Sequence, residues 1–151
     1  MKAMTAPPHD ERTLFTRRVL PFPRTAVYGA FADPAQWASW WGPAGFRTTF
    51  HRFDFVPGGR WLHTMHGPDG IDYANESRFV ELVAGERIVI EHLSPPWFEL
   101  TVTLADQGGD THVGWQQTFA DACARLAPVC VPSNEQNLDR LAAVLAGREP
   151  I

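Results

Sequence analysis

His63, His92 and Gln117 are the polar members of otherwise apolar alternating runs. Isolated polar groups on an apolar wall can orient a small molecule or move a proton. In Gly59–His66, strand alternation puts Trp61, His63 and Met65 on one side and Leu62, Thr64 and His66 on the other. Arg87–Leu93 adds Ile88, Ile90 and His92 to the inward set. Trp97–Ala105 adds Phe98, Leu100, Val102 and Leu104, and Thr111–Phe119 adds Val113, Trp115, Gln117 and Phe119. Trp61, Met65, Leu100, Trp115 and Phe119 are thus candidate apolar walls of a ligand site. His63, His92, Gln117 and Tyr73 are its candidate hydrogen-bonding groups. Each polar member could equally be a satisfied core residue.

The run Ile71–Val83 leaves its parity open. Regular alternation turns Tyr73, Asn75, Ser77 and Phe79 inward, but Val80 and Leu82 require the opposite phase. A β-bulge reconciles them and could aim Glu76 or Arg78 at the cavity. A carboxylate there would be a general base with a pKa raised by desolvation. The simpler alternative pairs Glu76 with a nearby arginine.

Other chemistries find less support. His63 and His66 differ by an odd offset and face opposite sides of a strand, so they cannot share an ion. No HExxH or CxxC cluster occurs. His63, His92 and Glu76 could converge as ligands only in a favourable fold, so neither a metal site nor a cofactor is expected. There is no GxSxG, and both cysteines lie in the helical C-terminal part. Cys123 and Cys130 are seven residues apart, about 10 Å along a continuous helix, too far to bridge. Gly58-Gly59 and Gly108-Gly109 sit in hairpin links rather than before a helix, which marks them as turn glycines and not a phosphate cradle.

The elements that must position these groups follow a β-α-α, six-strand, helix order. Thr13–Leu20 is the first strand, stopped by Pro21-Phe22-Pro23. Arg24–Ala32 is a helix with Val27, Tyr28 and Phe31 on one side. Strands are expected over Arg47–Phe55, Arg60–His66, Ile71–Val83, Arg87–Leu93, Trp97–Ala105 and Thr111–Phe119, separated by Gly- and Pro-rich turns. Such a meander twists and curls, and its concave face must be covered. The end of the chain supplies the cover. Asp121–Ala127 starts a helical segment interrupted near Pro128 and Pro132. Ser133 and Gln136 form a capping box, and Leu138, Leu141, Ala142 and Leu145 form an apolar stripe stopped at Gly147.

Between the first strand and the meander lies DPAQWASWWGP, Asp33 to Pro43, which holds three of the chain's six tryptophans. Asp33 suits the N-cap and Pro34 the first helical position. Trp37, Trp40 and Trp41 then fall at i, i+3 and i+4 on one face. So much aromatic surface must close over something, either the protein's own core or a ligand cavity with Trp40 at its mouth.

Composition narrows the partners. Charged residues make up 20% of 151 residues with a net charge of −4, and Lys and Arg are scattered, so no nucleic-acid footprint appears. The longest apolar runs fall far short of the roughly 20 residues of a membrane span. Residues 1–12 have no apolar core of a signal peptide and read as a loose tail, with a single domain over residues 13–148.

PFPRTAVYGAFADPAQWASWWGP, VPGGRWLHTMHGPDG, YANESRFVELVAGERIVIEH and NLDRLAAVLAG together resemble one family from about Phe15 to Gly147. It is the branch named for the heat-shock-protein-90 ATPase activator homologue, in the START-like (SRPBCC) superfamily. The resemblance implies an α+β helix-grip fold, a curved antiparallel sheet of six or seven strands around a long C-terminal helix, enclosing a deep cavity. It also implies a cytoplasmic protein, often a homodimer. The breaks at Pro128 and Pro132 depart from the smoother final helix usual in the family. With residues 1–12 alone before the first strand, the namesake's N-terminal domain and its chaperone-activating role are not expected. Superfamily relatives bind lipids, hormones or polyketides, and a few catalyse cyclisation. The expected function is binding of a small hydrophobic ligand. The alternatives are a cyclase or aromatase using cavity His63, His92 or Glu76 as acid and base, or a partner-binding protein with a filled cavity.

Overall fold

A computed structural model describes residues 11–151. Seven strands form one antiparallel sheet: β1 (Thr13–Leu20), β2 (Arg47–Phe53), β3 (Arg60–His66), β4 (Asp72–Val83), β5 (Arg87–His92), β6 (Phe98–Gln107) and β7 (Asp110–Phe119). Their order across the sheet is β1-β7-β6-β5-β4-β3-β2. Strands β2 to β7 are a meander, as hairpin-length Gly and Pro turns require. β1 closes the far edge by pairing with β7, Leu14 opposite Gln117. Helices α1 (Arg24–Ala32) and α2 (Pro34–Trp40) fill the β1–β2 connection, and α3 (Ala127–Leu145) ends the fold.

Cross-strand register carries the inward set from strand to strand. Trp61 lies opposite Ser77, Ser77 opposite His92, His92 opposite Phe98, and Phe98 opposite Phe119. Because the side-chain period is two, agreement at one position fixes the face of the residues around it until a bulge intervenes. The ambiguous run resolves through a bulge at Val80, between the pairs Phe79–Ile90 and Glu81–Val89. The bulge lies after Phe79, so Ser77 and Phe79 stay buried and Leu82 is turned back onto the core. Glu76 and Arg78 keep the outer face. There Arg60 pairs with Glu76 at 2.9 Å and Arg78 with Glu91 at 2.8 Å.

α2 begins as its residues dictate. Asp33 Oδ1 accepts from the Ala35 amide at 3.0 Å, and Pro34 occupies a first-turn site that needs no amide hydrogen. The helix stops at Trp40, one residue earlier than an i, i+3, i+4 stripe assumes. Trp41 is the C-cap, with φ −66° and ψ 132°, so its ring leaves the face shared by Trp37 and Trp40.

The C-terminal helix differs from expectation. α3 starts at Ala127 and runs unbroken through Pro132 to Leu145. Residues 121–126 are not helical. Pro128 stands in the first turn, where a missing amide hydrogen costs nothing. Pro132 forfeits one bond to Pro128, which the rest of the helix and its packing offset. Ser133 is therefore not a cap but an interior residue, its hydroxyl donating to the Val129 carbonyl at 2.8 Å. Arg18 on β1 anchors the outer side of α3 by pairing with Glu135 at 2.9 Å and with Asp139.

Of the expected tail, residues 1–10 lie outside the described residues. Arg12 and Glu11 are tied down, their carbonyls accepting from the Phe119 and Cys123 amides at 2.8 Å.

Candidate functional site

The core fills one end of the grip. Trp37 and Trp40 are fully buried and pack with Phe31, at ring-centroid distances of 5.1 and 5.0 Å. Trp37 also meets Trp61 at 4.3 Å, joining α2 to β3. The Trp40 indole N–H donates to the Ala30 carbonyl at 3.1 Å, which holds this ring on α1 and away from any opening. The expected place of Trp40 at a cavity mouth is therefore corrected: Trp40 is core, and Trp41 takes the cavity side. Trp41 stacks on Trp115 at 5.9 Å and meets Trp61 edge-on at 5.4 Å.

Beyond this wall the sheet and α3 flank an open cavity of about 630 Å³, within the size range of small-molecule sites. Trp61, His63, Met65, Tyr73, His92, Leu100, Trp115 and Gln117 all line it. Phe119 does not; it is 3% exposed, and its ring packs against Phe98 at 5.6 Å, behind the lining. Glu76 does not either, because the bulge falls beyond it and leaves it on the outer face with Arg60. The trio of His63, His92 and Glu76 consequently does not converge. Among the described residues, no group of three or more metal-ligating side chains comes together.

The polar lining has distinct states. His63 is 3% exposed and stacked on Trp61 at 4.1 Å. Its Nδ1 is sealed from solvent with no partner. Burial, with repulsion from His92 and His51, holds its pKa down to about 3, so the ring is neutral at physiological pH. Both nitrogens of His92 face oxygens, Nδ1 at 2.9 Å from the Pro96 carbonyl and Nε2 at 2.7 Å from Asn75 Oδ1, and a neutral ring donates to one of them. Burial lowers its pKa too, and the Pro96 bond opposes that shift without reversing it.

Sequence reading missed the α3 side of the cavity. Asn134, Asn137, Ser133 and Cys130 line it. Asn134 Nδ2 donates to Gln117 Oε1 at 3.0 Å, and the Gly42 amide donates to Asn137 Oδ1 at 2.8 Å. The signal was available. Extending the stripe of Leu138 and Leu141 backward by helical spacing lands on Asn134 and Asn137, polar residues on an apolar face.

One more residue holds the wall in place. Arg140 is 5% exposed and, among the described residues, pairs with no carboxylate. Its guanidinium donates instead to the carbonyls of Trp41, Gly42, Pro43 and Phe46, the loop that carries the Trp41 ring. Gly42 in that loop has φ 111°, and a Cβ there would stand 3.1 Å from both Met65 Cε and Phe46 Cβ. Only glycine meets both demands.

Residues 21–146 match the family described as Activator of Hsp90 ATPase homolog 1-like protein. No curated protein matches the chain. Among solved structures, a protein from Chromobacterium violaceum is 29% identical with a TM-score of 0.79, covering 89% of this chain and 96% of that one. A protein from Mycobacterium smegmatis is 25% identical with a TM-score of 0.79, covering 95% of this chain and 98% of that one. A protein from Nitrosomonas europaea, 17% identical with a TM-score of 0.84, covers 92% of this chain and 97% of that one and shares the fold.

Proposed function

The chain belongs to the Activator of Hsp90 ATPase homolog 1-like family, and from that premise we propose that it binds a small apolar or aromatic molecule between the curved sheet and α3. The observation that carries the reading is the cavity of about 630 Å³ itself, bounded by the rings of Trp41, Trp61, Trp115 and Phe98. Tyr73 and Val129 are exposed at its rim, so a molecule from solution can enter it. Aromatic walls supply dispersion and apolar burial, and a few amides and imidazoles supply orientation.

Acid–base catalysis is the weaker reading. A histidine whose pKa is held to about 3 is a poor proton acceptor, because efficient general bases titrate near the working pH. Burial lowers the pKa of His92 as well, which weakens it as a base in the same way. Glu76, the candidate carboxylate, lies on the opposite face of the sheet.

Titration with the neutral dye Nile red tests the proposal, read by dye emission and by quenching of the cavity tryptophans. Saturable binding, displaced by any molecule that native mass spectrometry finds co-purifying, is the expected result. Absence of both dye uptake and a co-purifying molecule overturns it.

A further inference from the structure

The chemistry of the cavity wall narrows what it accepts. Among the described residues, no Asp, Glu, Lys or Arg lines it, so a ligand charge placed there would meet no counter-charge from them. An unpaired ion in such a setting costs several kcal/mol or more, which selects a neutral molecule.

Several hydrogen-bond donors in the lining are unspent. The Gly42 amide can only donate, so the atom it meets on Asn137 must be the carbonyl oxygen. The carboxamide of Asn137 is thereby fixed, leaving Nδ2, with two N–H groups, without an acceptor among the described residues. In the second pair Asn134 Nδ2 donates to Gln117 Oε1, which leaves Gln117 Nε2 as a donor and Asn134 Oδ1 as an acceptor. Asn137 and Gln117 are each 6% exposed and line the cavity. Asn134 and Asn137 are neighbours at i, i+3 on α3, so the two free carboxamide nitrogens flank the same stretch of helix. The indole N–H groups of Trp61 and Trp115, donors only, are buried in the cavity walls with no acceptor.

Resting on the binding reading above, we infer that the ligand is a neutral aromatic molecule bearing a carbonyl-type oxygen, received by the amide nitrogens of Asn137 and Gln117. Its ring system lies among the indoles of Trp41, Trp61 and Trp115. A hydrocarbon of the same shape leaves these donors unpaired, and an anion must also give up its hydration without gaining a cation.

Three probes of one shape separate the possibilities: fluorenone, fluorene and fluorene carboxylate, titrated into the full chain by calorimetry. Fluorenone is expected to bind about tenfold more tightly than fluorene, the yield of one to two net hydrogen bonds, with the carboxylate weaker than fluorenone by at least about tenfold. Asn137→Asp keeps an acceptor for the Gly42 amide but removes the donor, and Gln117→Met removes the second donor at similar size. Each substitution should bring the fluorenone-to-fluorene ratio toward one, and either suffices if the other fails to fold. Equal binding of fluorene and fluorenone by the unaltered protein, a ratio that survives both substitutions, or tightest binding of the carboxylate overturns the inference. In each case the cavity would still bind, so the broader reading stands. Exclusion of all three probes together with Nile red overturns both.

Discussion

The guanidinium of Arg140 donates to the carbonyl oxygen of Phe46 at 2.8 Å, which locks the loop after α2 onto α3. The same group reaches the Gly42 carbonyl at 2.9 Å, while its own Nε has no partner. A buried cation is here balanced, among the described residues, by backbone dipoles, and burial lowers its pKa from the usual arginine value. The wall of the cavity thus depends on a side chain that does not line it.

Arg140→Met should destabilise the fold by about 2–4 kcal/mol, because several buried carbonyls lose a charged donor at once. Arg140→Lys should recover only part of the loss, since an ammonium lacks the planar fork that spans Gly42 and Phe46. Urea unfolding measures both. A loss below about 1 kcal/mol for Arg140→Met would show that water replaces the guanidinium easily.

Stability should fall on acidification because of His63. Its folded pKa, about 3, lies below the ordinary value of 6.5. Below pH 6.5 the unfolded chain therefore takes up a proton that the folded chain refuses, down to about pH 3. The contribution is complete above that window and is lost through it at up to about 1.4 kcal/mol per pH unit. His63→Phe should flatten the profile there, leaving a smaller slope of the same sign from His92. Parallel profiles for the two proteins would contradict the assignment.

The tryptophans of α2 and its cap should separate by phenotype. Trp37→Ala should cost about 3–5 kcal/mol, as a fully buried ring at the centre of an aromatic cluster. Trp41→Ala, at a half-buried cavity position, should cost less in thermal stability yet alter Nile red uptake more. The reverse ranking would place Trp41 in the core and Trp37 at the cavity.

Glu76→Gln should be close to neutral, within about 0.5 kcal/mol, because its partner Arg60 and Glu76 itself are both well exposed. Nile red binding should not change. A marked effect on binding would mean that Glu76 reaches the cavity after all.

Strand positions were legible because alternation and turn residues are local. The Val80 bulge was legible as a clash of parity between Phe79 and Leu82, but its side was not. Whether it fell before or after Glu76 depended on pairing with β5. Ser133 misled for a related reason. A serine three residues before Gln136 satisfies a cap motif, yet the capping bond forms only if the chain before it is not helical. Here packing of α3 carries the helix through Pro132 and makes Ser133 an interior residue.

The sequence by itself determined the seven strands, the two short helices and the shared face of Trp61, His63, His92 and Gln117. These follow from periods of two and about 3.6 residues and from the conformations that proline and glycine impose. Tertiary structure decided which part of that face is core and which is cavity. It buried Trp37 and Trp40, sent Trp41 to the opening, and set Asn134, Asn137 and Arg140 against residues some 17 to 99 positions away. Periodicity says which way a side chain points. Only the gap between sheet and helix, fixed by all the long-range contacts together, says what it meets there.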